Sequence, residues 1–249
     1  MRRISELFFW VPNTITALNL ASGSMAVFLG IEGELGLAAI FILAAAVFDF
    51  FDGMAARLLG AYSEIGKQLD SLADLVSFGL APAAILFTML QLAMFGQNQA
   101  ITSIDASILE WIFLLSALLV PVAGAFRLAK FNLDTRQSEN FLGLPIPANA
   151  IFYASLALIL QWGNAPVVTN LILNRFNLLT AIALLSALMI SELPMFSLKF
   201  KHLKWLGNQI RFLFIGLCLI LVISLKLYAV PLIIISYILI SAVLKLTNR

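Results

Sequence analysis

Charge, histidine and cysteine are all scarce in this 249-residue chain: charged residues make up 11%, and His and Cys occur once each. The lone cysteine, Cys218, stands in an apolar run, so no intramolecular disulfide and no zinc-type cysteine spacing is available. The lone histidine, His202, lies in a basic loop and reads as a solvated side chain. Histidine-based metal sites and Ser-His-Asp catalysis are thereby excluded. A formal net charge of +2 is too small to point to nucleic acid. Apolar side chain is what the chain has in excess, 62% against the roughly 45–50% of an ordinary soluble domain.

Repeated apolar runs of about 20 residues place the chain in a bilayer. The expected fold is an all-α polytopic membrane protein with about eight transmembrane helices, at roughly 12–30, 36–59, 69–95, 107–131, 147–162, 176–192, 209–226 and 229–246. No soluble domain, low-complexity linker or internal repeat interrupts them, so residues 1–249 read as a single integral membrane domain. The charged start followed by apolar residues resembles a signal peptide. Pro12, Asn13, Thr16 and Asn19 break the run, however, and no small-x-small cleavage site follows. A short interfacial segment is expected instead, with Phe8, Phe9 and Trp10 at the membrane surface.

The basic residues fix an orientation. With both termini in the cytoplasm, every Lys and Arg except Arg175 and Lys226 falls on the cytoplasmic side, as the positive-inside rule requires. The loop carrying Lys199, Lys201, Lys204 and Arg211 reads as a topology and lipid-headgroup feature. The expected location is a prokaryotic cytoplasmic membrane.

Against this background four aspartates stand out. Asp49 and Asp52 are spaced i,i+3, and Asp70 and Asp74 i,i+4, so on helices each pair shares a face, about 60° and 40° apart around the axis. Gly66 is one further i,i+4 step along the second face, while Gly53 and Ala56 continue the first without bulk and Arg57 follows. Carboxylates are costly in a membrane and read there as functional. Four together repel one another unless divalent cations sit among them, and hard oxygen donors suit Mg²⁺, Mn²⁺ or Ca²⁺. The pattern points to a metal site serving a phosphate-bearing ligand, at the cytoplasmic face.

The run D-x2-D-G-x2-A-R-x8-G-x3-D-x3-D, from Asp49 through Asp52, Gly53, Ala56, Arg57, Gly66 and Asp70 to Asp74, resembles the signature of the CDP-alcohol phosphatidyltransferase family. The resemblance covers about residues 10–165. It implies a six-helix core, which the sequence divides as a catalytic core over 10–195, followed by a basic cytoplasmic loop and two additional helices over 196–249. It also implies Mg²⁺ or Mn²⁺, as one or two ions, on Asp49, Asp52, Asp70 and Asp74, with Asp74 as general base as well. Contacts to the CDP-lipid are expected from Gly53, Ala56, Arg57 and Gly66. The family's first span resembles P-N-x2-T-x2-N here, so Asn13, Thr16 and Asn19 read either as nucleotide contacts or as interhelical hydrogen-bonding groups.

The strings DSLADLVSFGLAPA, GAFRLAKFN and FLGLPIPANA resemble the serine-using branch of the family. That branch implies transfer of a phosphatidyl group from CDP-diacylglycerol to the L-serine hydroxyl with release of CMP, within a homodimer among membrane lipids. Arg127, Lys130 and Asn132 are the candidate serine contacts; the plain alternative is that Arg127 and Lys130 are snorkelling topology residues. Pro145 and Pro147 are expected to hold the start of the fifth span extended. Glycerol 3-phosphate or an inositol phosphate is the alternative acceptor within the family. A membrane cation transporter is the alternative from another class, disfavoured because the acids crowd one face and no repeat is visible.

Overall fold

The structure is a computed structural model that describes residues 10–133, 141–196 and 205–247. Phe8, Phe9, Arg2, Arg3, Arg136, Lys199, Lys201, His202, Lys204 and Arg249 lie outside the described residues. Among the described residues the regular elements are all helical, apart from one two-residue antiparallel pairing.

Helix α1 (Trp10–Glu32) turns back through Gly33 into α2 (Leu35–Leu59). Helix α3 (Glu64–Asp74) runs through a π-helical turn (Leu75–Leu80) into α4 (Ala81–Phe95) as one 32-residue helical stretch. Helix α5 (Ile108–Leu115) and α6 (Leu119–Leu133) form a second such stretch, joined by a single 3-10 turn. Then follow α7 (Ile146–Trp162), the short α8 (Pro166–Ile172), α9 (Arg175–Ile190), α10 (Gln209–Leu225) and α11 (Ala229–Thr247).

Five helical stretches are long and apolar enough to cross a membrane, and α8 with α9, bent by 61°, would make a sixth. Helix α7 is apolar but has only 17 residues, about 26 Å at helical rise, slightly less than the hydrocarbon thickness. The stretch Gln209–Thr247 is 39 residues long, about twice what one crossing needs. It folds back on itself at Lys226–Tyr228: the rings of Phe214 in α10 and Tyr237 in α11 lie 5.9 Å apart across the hairpin. Helix α8 has no counterpart in the sequence reading. It begins at Pro166, a good first helical residue, but seven residues are too few to show apolar periodicity.

Small residues determine how closely α1 packs. Gly23 and Gly30, seven apart, share one face; a Cβ on Gly23 would overlap Ser77, and one on Gly30 would come within 3.1 Å of Ala84. Backbones can then approach closely, and Ser77 donates to the Asn19 carbonyl (3.0 Å) while Thr88 donates to the Gly30 carbonyl (2.7 Å). This crossing brings the polar stripe of α1 over Asp52 and Asp74. Gly23→Ala is expected to cost about 1–3 kcal/mol through overpacking, read as a lower melting temperature of the detergent-purified protein.

The π-helical turn directly follows Asp74 and precedes Pro82, which has no N–H to donate; within it Ala81 N–H bonds to the Val76 carbonyl. Such wide turns recur at functional sites. The segment before α7 is braced differently from expectation. Residues Phe141–Leu142 pair with Pro194–Met195, and Gly143, at φ +74°, donates to the Leu193 carbonyl (2.9 Å). A Cβ on Gly143 would lie 2.6 Å from the Met189 carbonyl oxygen, so only glycine fits. Pro145 is extended (φ −58°, ψ 137°) as expected, but Ile146 and Pro147 already form the first turn of α7. A proline so early in a helix leaves no intrahelical bond unmade.

Candidate active site

Two caps position the acidic motif. Gly60, at φ +61°, ends α2 with its N–H on the Ala56 carbonyl, and Ser63 starts α3 by accepting from Gly66 N–H at 2.9 Å. The short turn between them folds the acidic end of α2 against α3. Oxygen atoms of Asp49, Asp70 and Asp74 then lie within 4.8 Å of one another. Like charges about 4 Å apart repel by about 4 kcal/mol at a dielectric typical of such sites. Among the described residues no Lys or Arg forms an ion pair with these three. A donor set made only of carboxylate oxygens, with its charge uncompensated, fits a hard divalent cation.

Asp52 falls outside this 4.8 Å trio but is close enough for its charge to act on both Asp49 and Asp70. It is 5% exposed and accepts a hydrogen bond from Thr16 Oγ1 at 2.7 Å. Asp74, 9% exposed, is approached by Asn19 Nδ2 at 3.4 Å. Both Thr16 and Asn19 thus make interhelical hydrogen bonds to acids of the motif, and Thr16 also lines the cleft beside them. Asn19 lies beneath the acids, and its Oδ1 is buried without a partner.

A cleft of about 280 Å³ opens beside the acids. It is lined by Pro12, Asn13, Thr16, Asp52, Gly53, Ala56, Arg57, Gly66 and Asp70, all singled out in the sequence, and by Ala61, Tyr62, Ser63 and Lys67, which were not taken as site residues. At Gly53 a Cβ would meet only the Arg57 guanidinium, at 3.5 Å, so this glycine keeps the cleft wall open. At Gly66 a Cβ would lie 2.8 Å from Asn13 Oδ1, so the close approach there is made by α1. Lys67 had counted only toward topology. Its place one residue after Gly66 and three before Asp70 was the available signal, since i,i+3 neighbours share a face.

The three candidate acceptor contacts do not converge. Arg127, 7% exposed, donates through Nε to the Leu144 carbonyl, and Asp74 and Tyr237 are its charged and phenolic neighbours. Its terminal nitrogens have no hydrogen-bond partner among the described residues. Lys130 is exposed and reaches the Ile190 carbonyl at 3.4 Å. Both therefore face the 141–145 and 188–195 side, as i,i+3 spacing requires. The Asn132 side chain turns the other way, donating to Ser71 Oγ at 2.9 Å, while its backbone carbonyl accepts from Lys67 Nζ at 3.4 Å. Of the three, Arg127 is the one within electrostatic reach of an acid of the motif, Asp74.

Residues 9–191 match the CDP-alcohol phosphatidyltransferase family. The CDP-diacylglycerol–serine O-phosphatidyltransferase of Bacillus subtilis is 33% identical over 195 residues, 78% of this chain and 92% of that protein. The archaetidylserine synthase of Methanothermobacter thermautotrophicus is 35% identical over 153 residues, 61% of this chain and 59% of that protein. The serine O-phosphatidyltransferase of Mycobacterium leprae is 36% identical over 161 residues, so the chain spans about half (48%) of that relative's length. With the family match extending over most of the chain and the acidic motif folded around one cleft, this protein belongs to the CDP-alcohol phosphatidyltransferase family.

Proposed function

We propose that the chain transfers the phosphatidyl group of CDP-diacylglycerol to the hydroxyl of L-serine, releasing CMP and leaving phosphatidylserine. The observation that carries this reading is the convergence of Asp49, Asp70 and Asp74 beside a cleft lined by the rest of the motif, with the buried Arg127 within electrostatic reach of Asp74. The relatives' names differ in the lipid and agree on serine, which supports serine over a phosphorylated acceptor. Family membership also leaves no room for the cation-transport reading.

In this reading the cleft holds the CDP end of the lipid. Gly53 and Ala56 leave space for it against α2, and Arg57 and Lys67 offer cationic donors to phosphate oxygens. Asp49, Asp70 and Asp74, with Asp52 at the edge of the set, would hold Mg²⁺ or Mn²⁺, which when bound would supply charge neutralisation for the pyrophosphate. Asp74, the last acid of the motif along the chain, takes the proton from the attacking hydroxyl. Arg127 binds the serine carboxylate through its terminal nitrogens. No covalent enzyme intermediate is required, since positioning and charge stabilisation account for most of phosphoryl transfer. The enzyme acts as a homodimer in the cytoplasmic membrane, its cleft facing the cytoplasm as the distribution of basic residues favours. Residues 10–195 form the catalytic core, and α10 and α11 are an appended hairpin.

The test is CMP release by purified protein with CDP-diacylglycerol and Mg²⁺ or Mn²⁺, comparing L-serine, glycerol 3-phosphate and inositol phosphate. Serine-dependent release is expected, and release with another acceptor only would discard serine. Arg127→Ala should raise the serine KM at least ~10-fold, the cost of one charge-assisted pair. An unchanged serine KM would remove Arg127 from the acceptor site.

A further inference from the structure

Helix α7 carries two buried polar side chains with no hydrogen-bond partner. Both amide atoms of Asn149 and the hydroxyl of Tyr153 are unmet, and each residue is 0% exposed. Each unmet buried group costs about 1–3 kcal/mol, and inside a membrane protein no bulk water is at hand to satisfy it. The two residues are spaced i,i+4, so they stand on one face with about 5–6 Å between their Cβ atoms. Three orphaned atoms within one helical turn call for a polar occupant.

The packing of α7 places that face. Ile146, one turn before Asn149, packs against Gly124 of α6, with Leu75 beside it. Arg127, one turn along α6 from Gly124, is bonded to the Leu144 carbonyl just ahead of α7 and has the Asp74 charge beside it. On the α2 side, Gln161 packs on Gly36, and the two helices run in opposite directions. Counting back along α7 and forward along α2 from that contact brings Asn149 level with Phe48, next to Asp49. Side chains on a helix lean toward its N-terminus, and the N-terminus of α7 is the end at which Arg127 holds the Leu144 carbonyl.

We infer that Asn149 and Tyr153 form the inner wall of the acceptor subsite and receive the ammonium group of an amino-acid acceptor. This rests on the serine reading above. A serine zwitterion that presents its hydroxyl to Asp74 must also find partners for two opposite charges in a site poor in water. The terminal nitrogens of Arg127 suit the carboxylate, and Asn149 Nδ2 can add a second donor. The ammonium has three N–H groups and needs oxygen acceptors; Asn149 Oδ1 and the Tyr153 hydroxyl supply two. Neutral oxygens meet this need without adding another negative charge beside three aspartates. An acceptor lacking the ammonium leaves both oxygens unmet, and a site built on buried polar groups rejects such an analogue strongly. The pair would therefore select an amino acid over a simple hydroxy acid or a glycerol phosphate.

The experiment compares wild type, Tyr153→Phe and Asn149→Leu by CMP release with L-serine and with 3-hydroxypropionate, which is serine without its ammonium. Expected is a serine KM raised at least ~10-fold in each variant, a CDP-diacylglycerol KM within about twofold of wild type, and a smaller preference for serine over 3-hydroxypropionate. Melting temperatures should hold or rise, because an apolar replacement removes an unmet polar atom. A stable variant pair with unchanged serine KM and unchanged preference would overturn the inference and leave the two residues as hosts of a structural water. If Asn149→Leu does not fold, Tyr153→Phe, which removes a single oxygen, decides alone. A wild-type enzyme that ignores serine sinks both the acceptor reading and the subsite, whereas a serine-active wild type with indifferent variants sinks the subsite only.

Discussion

Asp74→Asn is expected to lower kcat by about 10²–10⁴-fold, the usual contribution of a positioned general base, while CDP-diacylglycerol still binds. The substitution keeps the shape of the side chain and removes its ability to take a proton. Asp74 is the last acid of the motif, at the junction with the π-helical turn, and is the acid beside which Arg127 lies. An acceptor hydroxyl between them would have its carboxylate held and its proton within reach of Asp74. The same change relieves repulsion, because three carboxylates within 4.8 Å become two. The metal-free variant should therefore melt no lower than wild type, which separates lost chemistry from lost folding. Lipid binding measured by calorimetry or by displacement of a fluorescent CDP-lipid decides the matter. If binding disappears together with turnover, Asp74 acts chiefly as a metal ligand and the base must be sought elsewhere.

The parts of this site legible in the sequence were those carried by helical spacing. The i,i+3 and i,i+4 aspartates, Gly53, Ala56, Arg57 and Gly66 lie within two helices joined by a short turn, so periodicity alone assembles them. Six of the seven expected lipid-contacting residues line one cleft, the exception being Asn19, which is held beneath it on Asp74. The relation of Asp52 to the other acids was not legible, because it depends on a Thr16 hydroxyl brought across by the α1 crossing at Gly23. The divergence of Asn132 from Arg127 depends on α3 lying alongside α6, again a matter of tertiary packing. Asn149 and Tyr153 gave no signal at all. A lone Asn and a lone Tyr in an apolar helix look ordinary until their partners are sought and not found. The bend between α8 and α9 was hidden for a different reason: only the segment after Asn174 read as a span, and the Asn174 cap on Phe176 and Asn177 N–H groups is too local to show in hydropathy.

Chelation should abolish CMP release, and Mg²⁺ or Mn²⁺ should restore it. The chelated protein should also melt lower, because an ion that binds only the native state stabilises it by about 2.7 kcal/mol at a hundred times its dissociation constant. The geometry makes a finer prediction about which acids matter for binding. Asp49, Asp70 and Asp74 converge, whereas Asp52 has one oxygen engaged by Thr16. Asp70→Asn is therefore expected to shift the metal midpoint, read from the melting temperature as Mn²⁺ is titrated, by at least ~10-fold, since it removes a charged ligand of the trio. Asp52→Asn should shift it less, because the amide keeps an oxygen that can still accept from the Thr16 hydroxyl. The melting readout needs no lipid and no acceptor, so it tests the acidic site apart from the reaction. Equal shifts for Asp52→Asn and Asp70→Asn would mean that all four carboxylates share the ions, and that Asp52 exchanges its Thr16 bond for metal once the site is filled.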